Sequence, residues 1–362
     1  FVAVLIGPWI AVPFGACVAG MLHLVHAIVE HFSRATADVR VPAPANVVLL
    51  VACGLLVFAV FAVRRRRWLL WGCVAVCAVP LLTLWPQRPL LHAGVLEVTA
   101  IDVGQGDSLL VVAPDGKTML VDAGGPVGQM LTPDRWDVGE EVVAPYLWSR
   151  KIARLDTVVL SHAHSDHMGG MGAVLRDMRP RELWVSVEPG ESPDMRALLA
   201  EAATLGIRVR WMRAGDKVSW GGMQGEVLSP ERGYANDAGA TNDDSLVLSL
   251  RFDKASVLLE GDAEAPSEAA MVHDGLLRPV TLLKVGHHGS MTSTNPEFLA
   301  AVQPRDAVIS VGRRNTFGHP RFEVLERLEK AGAKVFRTDT MGAETFLLRS
   351  DGSIVAKSAA SN

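Results

Sequence analysis

Cysteine and tyrosine are scarce in this chain of 362 residues, at four and two. The cysteines, Cys17, Cys53, Cys73 and Cys77, all precede residue 90. The chain beyond residue 90 therefore has no disulfide and no thiolate for a metal, so any ion there must rest on imidazole and carboxylate. Charge is also thin, 20% of residues against the roughly 25% of an ordinary soluble domain. No sign dominates: the net charge is −4 and the isoelectric point near 6.3, so there is no global basic signal for nucleic acid. Long disordered tracts, collagen-like repeats and a small disulfide scaffold are all excluded. What is abundant is apolar: 49% of residues, with a mean hydropathy of +0.24. The chain opens on Phe1 inside an apolar run, so it reads as a piece of something longer. Its length suggests about two domains.

The apolar surplus lies in the first 90 residues. Residues 1–29 run apolar, broken by Gly7-Pro8 and Pro13; Val47 to Val63 carry no charge, nor do Trp68 to Trp85. Each run is near the ~17–25 residues that cross a bilayer. The second and third are apolar on every face and joined by Arg64-Arg65-Arg66-Arg67, which predicts a membrane hairpin. A short arginine loop stays cytoplasmic, so everything after Pro86 is expected outside, with Trp68, Trp71 and Trp85 near the interfaces. Residues 1–92 hold seven basic and two acidic side chains, leaving 28 basic and 37 acidic for residues 93–362. The predicted division is a membrane part over 1–92, with spans at about 1–29, 47–63 and 68–85, and a second domain over 93–362.

From about Gly94 the chain turns to short β runs punctuated by Gly, Pro and Asp. Val95–Ile101, Ser108–Ala113, Lys117–Val121 and Thr157–Leu160 read as strands, as do Ser245–Phe252, Ser256–Leu259, Thr281–Lys284 and Ala307–Ser310. Helices are expected over Asp137–Arg150, Gly170–Met178, Pro193–Leu205, Ala265–Asp274, Pro296–Val302 and Pro320–Ala331. Strands first, then strands alternating with helices, twice over, predict an α/β fold of two packed sheets with helices outside.

After the strand Thr157–Leu160 comes Ser161-His162-Ala163-His164-Ser165-Asp166-His167, three imidazoles and a carboxylate on a strand-to-helix turn. Alternate spacing in an extended turn points His162 and His164 the same way, and Asp166 and His167 then open a helix, able to meet a second ion. Such a set suits Zn²⁺ or Mn²⁺.

His162-x-His164-x-Asp166-His167, followed by Gly169-Gly170, resembles the signature of the metallo-β-lactamase superfamily, whose fold is an αββα sandwich. Asp102-Val103-Gly104-Gln105-Gly106-Asp107-Ser108, Val121-Asp122-Ala123-Gly124-Gly125, Gly261-Asp262, Lys284-Val285-Gly286-His287-His288-Gly289-Ser290 and Asn315-Thr316-Phe317-Gly318-His319-Pro320 resemble, in order, motifs of the outer domain of the competence DNA-internalisation channel family, ComEC. The resemblance covers residues 95–350, with the membrane hairpin where that family's channel domain ends.

Asp262, at a strand end, is placed to bridge two metals, or is an ordinary turn residue. One of His287 and His288 can ligate while the other meets a phosphate or leaving group, and the resemblance implies His287 as the ligand. Asp122 is expected to orient the histidines, and Asp107 is a further acidic candidate. Ser290, Thr292, Ser293 and Thr294 can hold phosphate oxygens or merely cap the next helix. Arg313, Arg314 and His319 can meet a phosphate backbone or form a solvated loop. One departure stands out: between His167 and Asp262 there is no histidine, where many relatives of this superfamily place a ligand. Thr241-Asn242-Asp243-Asp244-Ser245 occupies that neighbourhood, so Asn242 or Asp243 would supply oxygen, or one metal site would be weak.

The expected chemistry is hydrolysis of a phosphodiester with one or two divalent ions, Mn²⁺ or Zn²⁺, with Asp166 or a metal-bound hydroxide as base and His288 or His319 as acid. The resemblance implies incoming DNA as substrate, the non-transported strand being degraded, with other competence proteins delivering the DNA. The rivals are an extracytoplasmic hydrolase of another ester or phosphocholine, and a non-catalytic module that guides DNA.

Overall fold

The computed structural model describes residues 8–35, 42–126 and 136–359. It divides into two units, Phe1–Val41 and Pro42–Asn362. In the first unit, helix α1 (Pro8–Ala35) continues past the expected limit at residue 29 and takes in Glu30 and Arg34. Residues 1–7 of that expected span lie outside the described residues.

The second unit opens with a hairpin, α2 (Asn46–Val63) and α3 (Leu69–Thr83), joined through a 3₁₀ turn at Arg66–Trp68. Its seam is made of small residues: Ala52, Ala59 and Ala62 on one helix and Gly72 and Ala75 on the other are the buried ones. A side chain at Gly72 would come within 3.1 Å of the Ala62 Cβ, so the two helices meet closely through small residues. The large side chains point outward instead, with Leu50 and Leu70 72% and 71% exposed. Among the described residues, Asn46–Val63 and Arg66–Thr83 are long and apolar enough to cross a membrane.

Beyond the hairpin the strands are β1 (Leu96–Ala100), β2 (Leu109–Val112), β3 (Thr118–Val121), β4 (Thr157–Leu160), β5 (Glu182–Val185), β6 (Arg208–Trp211), β7 (Lys217–Trp220), β8 (Met223–Ser229), β9 (Val247–Phe252), β10 (Ala255–Leu259), β11 (Leu282–Lys284), β12 (Asp306–Ile309), β13 (Lys334–Arg337), β14 (Glu344–Leu348) and β15 (Ile354–Ser358). They form an eight-stranded sheet, β15-β14-β1-β2-β3-β4-β5-β6, and a seven-stranded one, β13-β12-β11-β10-β9-β8-β7. The helices are α4 (Ala144–Ser149), α5 (Ser165–Met168), α6 (Met171–Met178), α7 (Pro193–Thr204), α8 (Ala265–His273), α9 (Pro296–Val302), α10 (Phe322–Lys330) and α11 (Thr338–Met341). The segment expected as a helix from Asp137 begins instead as a π-type turn, Gly139–Val143, before α4.

Alternation along the strands explains the layers. Val98, Leu109, Val111, Met119 and Val121 face Leu248, Leu250, Val257 and Leu259 across the two sheets. Their neighbours Leu110, Val112, Leu120, Val158 and Leu160 face outward to Val174, Leu175 and Leu198 on the first helix layer. Leu258, Leu283 and Ile309 do the same with Phe298, Val324 and Leu328 on the second. The result is the expected αββα sandwich. Strands β2, β3, β4 and β10 are buried along their whole length, which is why they read as unbroken apolar runs. Strands β3 to β6 are mutually parallel, as are β10 to β13, so the loops after β4, β10 and β11 carry the candidate residues.

Candidate metal centre

The chain leaves β4 extended through Ser161–His164 and then makes one helical turn, α5. His162 and His164 do point the same way: Nε2 of the first is 2.9 Å from Nδ1 of the second. Asp166 and His167 sit on the turn, facing Asp262 after β10 and His288 after β11. His167 Nε2 is 3.1 Å from Asp262 Oδ2. His288 Nε2 is 3.4 Å from that same oxygen and 3.5 Å from Asp166 Oδ2. Asp166, His167, Asp262 and His288 each offer one ligand atom, all within 4.8 Å of one another and all on buried residues.

Glycines make this approach feasible. A Cβ on Gly106 would sit 2.2 Å from the Asp166 carbonyl oxygen, and one on Gly125 2.0 Å from that of Ser165. Both have positive φ, so only glycine lets the two loops close around α5.

Second-layer hydrogen bonds set the tautomers. Asp122 accepts from His167 Nδ1 at 2.8 Å and from Ser161 Oγ at 2.7 Å, while the Ser161 amide donates to its other oxygen. Asp122 thus lies beside the histidines, where the sequence suggested it. His288 Nδ1 donates to the Ser310 carbonyl at 2.9 Å. With each Nδ1 engaged, Nε2 of His167 and of His288 turns inward, and neither has an aligned hydrogen-bond partner; nor does Asp262 Oδ1. Inward imidazole nitrogens and an orphaned carboxylate oxygen at ligand spacing fit a divalent ion of the imidazole–carboxylate class, which would take the place of the ring protons.

The charges are strongly coupled. Burial opposes the ionised form of Asp262, but His167 and His288 outweigh it and hold the carboxyl well below its ordinary range. Asp166 is lowered too: burial is outweighed by the hydrogen bond and charge of His288 and by His167. Against burial, Asp262 and Asp107 push His288 up to about 10. His162 differs: burial, with His167 nearby, drives its pKa well below normal, so it is a neutral donor.

The two histidines of the doublet take different places. Both histidines adopt left-handed backbone angles, φ 44° and 54°, and their side chains diverge. His288 enters the cluster, whereas His287 turns to the mouth, with Nδ1 3.0 Å from Glu264 Oε1 and Nε2 3.9 Å from Asp262. Asn242 also lines the mouth, its Nδ2 donating to Glu264 Oε1 at 3.0 Å. Asp243 does not: its carboxylate accepts from the Glu264 amide and Ser267 Oγ, tying the start of α8.

Ser290 and Thr292 share a 2.9 Å hydroxyl contact, and Thr292 Oγ1 lies 3.1 Å from His287 Nδ1. Ser293 is corrected: it is buried and donates to the Ala263 carbonyl at 2.7 Å, so its hydroxyl is spent inside. Arg313 and Arg314 are exposed but line no part of the central cavity, and Arg313 Nε donates to the Asp339 carbonyl. His319 does reach the cavity. Burial, with His287 and His288 close by, lowers its pKa to about 4, leaving a neutral ring at pH 7 rather than a charged acid.

Three contributors were not foreseen. Gln105 and Phe317 line the cavity of about 270 Å³, with Phe317 exposed at its edge. Lys284 is wholly buried; it pairs with Asp107, donates to the Gly261 carbonyl at 3.0 Å, and lies 3.8 Å from Asp262. Asp107 thus meets a lysine and His288, not the cavity. A lone cation closing the apolar strand Thr281–Lys284 was the available signal.

A profile of the Metallo-beta-lactamase superfamily matches residues 101–313. The chain belongs to that superfamily. It is 32% identical over 308 residues to "ComE operon protein 3" of Bacillus subtilis, covering 83% of this chain and 39% of that protein. It is 32% identical to "Recombination protein 2" of Haemophilus influenzae, covering 75% and 31%, and 32% identical to "Competence protein ComA" of Neisseria gonorrhoeae, covering 77% and 39%. These relatives and the superfamily domain together fit the competence channel family. The chain spans under two fifths of the length of each.

Proposed function

We propose that this superfamily member is a metal-dependent phosphodiesterase at the end of a DNA-uptake channel, acting on the strand that is not transported. The observation that carries the reading is the buried Asp166–His167–Asp262–His288 cluster, with its orphaned ligand atoms, opening on a cavity. Residues 1–92 would be the end of a multi-pass membrane domain and residues 93–362 an extracytoplasmic hydrolase, the Arg64–Arg67 turn lying inside. DNA, the membrane and the competence proteins that deliver DNA would be its partners.

Asp166, His167, Asp262 and His288 would hold one divalent ion, and His162 and His164, with Asn242 near, a second; Mn²⁺ and Zn²⁺ both suit the set. When bound, such ions supply Lewis acidity to a phosphoryl oxygen and to water. The chain's own residues do the rest. Asp122 fixes the His167 ring, and Ser310 fixes that of His288. Asn242, His287 and His319 line the way in, with Thr292 against His287, which suits a phosphate and its leaving group. A neutral His319 can donate its ring N–H to a phosphate oxygen without carrying a charge.

The test uses the full chain in detergent with single- and double-stranded DNA, with Mn²⁺, Zn²⁺ or a chelator, beside an Asp166→Ala control. Cleavage that needs metal and Asp166 is expected. Hydrolysis of a small phosphodiester or phosphocholine ester with DNA left intact would replace this reading by the ester-hydrolase one.

A further inference from the structure

The sandwich has two unlike ends. β1 is antiparallel to β2 and β2 to β3, whereas β3, β4, β5 and β6 run parallel. Leu96, where the chain arrives from the hairpin, therefore shares an end with the starts of β3 to β6, and the metal cluster lies beyond the other end of β4. The arriving segment is pinned. Arg150 donates twice to the Leu90 carbonyl, at 3.0 and 2.7 Å, and its Nη1 contacts the buried Glu97 at 2.7 Å. The Leu90 amide in turn donates to the Arg150 carbonyl at 2.8 Å.

At this hairpin end, a recess of about 480 Å³ is lined by Lys117, Arg181, Arg208 and Arg210 against only Asp156 and Glu182. This basic excess sits in a domain that is acidic as a whole, 28 basic against 37 acidic residues. The carboxylates only partly engage it. Glu182 takes Arg208, Arg210 and the Trp184 indole N–H, and Arg181 stands 3.8 Å from Asp156. The side chains of Arg181 and Arg208 remain 70% and 72% exposed. Trp184 and Trp220 back the recess, with the Arg210 guanidinium 5.2 Å from the Trp184 ring.

We propose that this recess seats the phosphate headgroups of anionic lipid in the bilayer that the hairpin enters. Arginines over tryptophan suit an interface where a polar head meets an apolar boundary. A nucleic-acid strand held here would lie at the wrong end of the sheet for the metal cluster, which favours lipid. The proposal rests on the hairpin lying in a membrane and is independent of any nuclease activity.

The experiment places the full chain in nanodiscs of phosphatidylcholine alone or mixed with phosphatidylglycerol, and follows amide exchange at residues 117–118, 154–157, 181–182 and 208–210. With phosphatidylglycerol, exchange there should slow about tenfold or more at low salt and recover at high salt. The double variant Arg181→Gln, Arg208→Gln should lose that difference while exchange in α2 and α3 stays as it was. Exchange indifferent to phosphatidylglycerol, with the hairpin amides protected, overturns the proposal alone. Unprotected hairpin amides overturn the membrane reading and the proposal with it. Slowing by a single-stranded oligonucleotide but not by phosphatidylglycerol would assign the recess to nucleic acid and also overturn the proposal.

Discussion

His167 and His288 stand among Asp107, Asp122, Asp166 and Asp262 in a half of the candidate metal centre dense with charge. His162 and His164 face each other in a half whose first ring is held neutral and whose mouth is lined by Asn242, a side chain without charge. Both halves grow from one strand-to-helix turn, so the local fold does not separate them. Their neighbours do. The first half needs cations to offset its carboxylates and recruits buried Lys284 besides; the second offers neutral donors and would bind an ion less tightly.

Asp262→Asn should break the comparison most severely, because its carboxylate touches the first half and also acts on His162. Activity should fall by about 10³-fold, the scale of several kcal/mol of Lewis-acid stabilisation, and metal content measured by mass spectrometry should fall for both halves. Full metal content in this variant would mean that the halves share nothing.

Next in size is the histidine pair. His288→Ala is expected to lose one metal equivalent and about 10²-fold in activity, whereas His287→Ala should keep its metal and change activity by less than about tenfold. The reverse order would return the ligand role to His287.

Asp122→Asn preserves shape but removes the acceptor that fixes His167. Metal affinity of the charged half should weaken by about 10–100-fold, and competition with a chromophoric chelator would read it; an unchanged affinity would leave Asp122 a packing residue.

Asn242→His carries the smallest effect and sharpens the comparison from the other side. Supplying an imidazole near the neutral half should tighten its ion by about tenfold, seen by calorimetry as a stronger second binding event. No second event in either protein would reduce the centre to a single ion.

Much of this was legible in the sequence. β4 and α9 coincide with their expected limits because the apolar run of the strand ends abruptly at Ser161 and Pro296 opens the helix at its first turn. The His162–His167 cluster was readable because one turn holds all of it, and Asp122 because it closes β3. What residue types did not carry was side-chain direction inside short irregular turns. His287 and His288 differ in role through left-handed backbone angles at two residues that are not glycine. Asn242, Asp243 and Asp244 lie on one 3₁₀ turn and point three ways: to the cavity mouth, to the start of α8, and to Tyr234 and Asn236 inside. Ser293 looked like its hydroxyl neighbours, yet one buried carbonyl claims it. Tertiary contacts of that kind come from chain segments tens of residues away.

The Arg150–Leu90–Glu97 clamp ties the segment that follows the hairpin to the first sheet, whose other end carries the turn with the candidate metal ligands. Five residues of β1 rise about 17 Å at the usual pitch of a strand. For a duplex at 3.4 Å per base pair, that stand-off is about five pairs. On the nuclease reading, the clamp is a ruler: a strand is cut no closer to the channel than the sheet is tall, and shortening the sheet would move the cut.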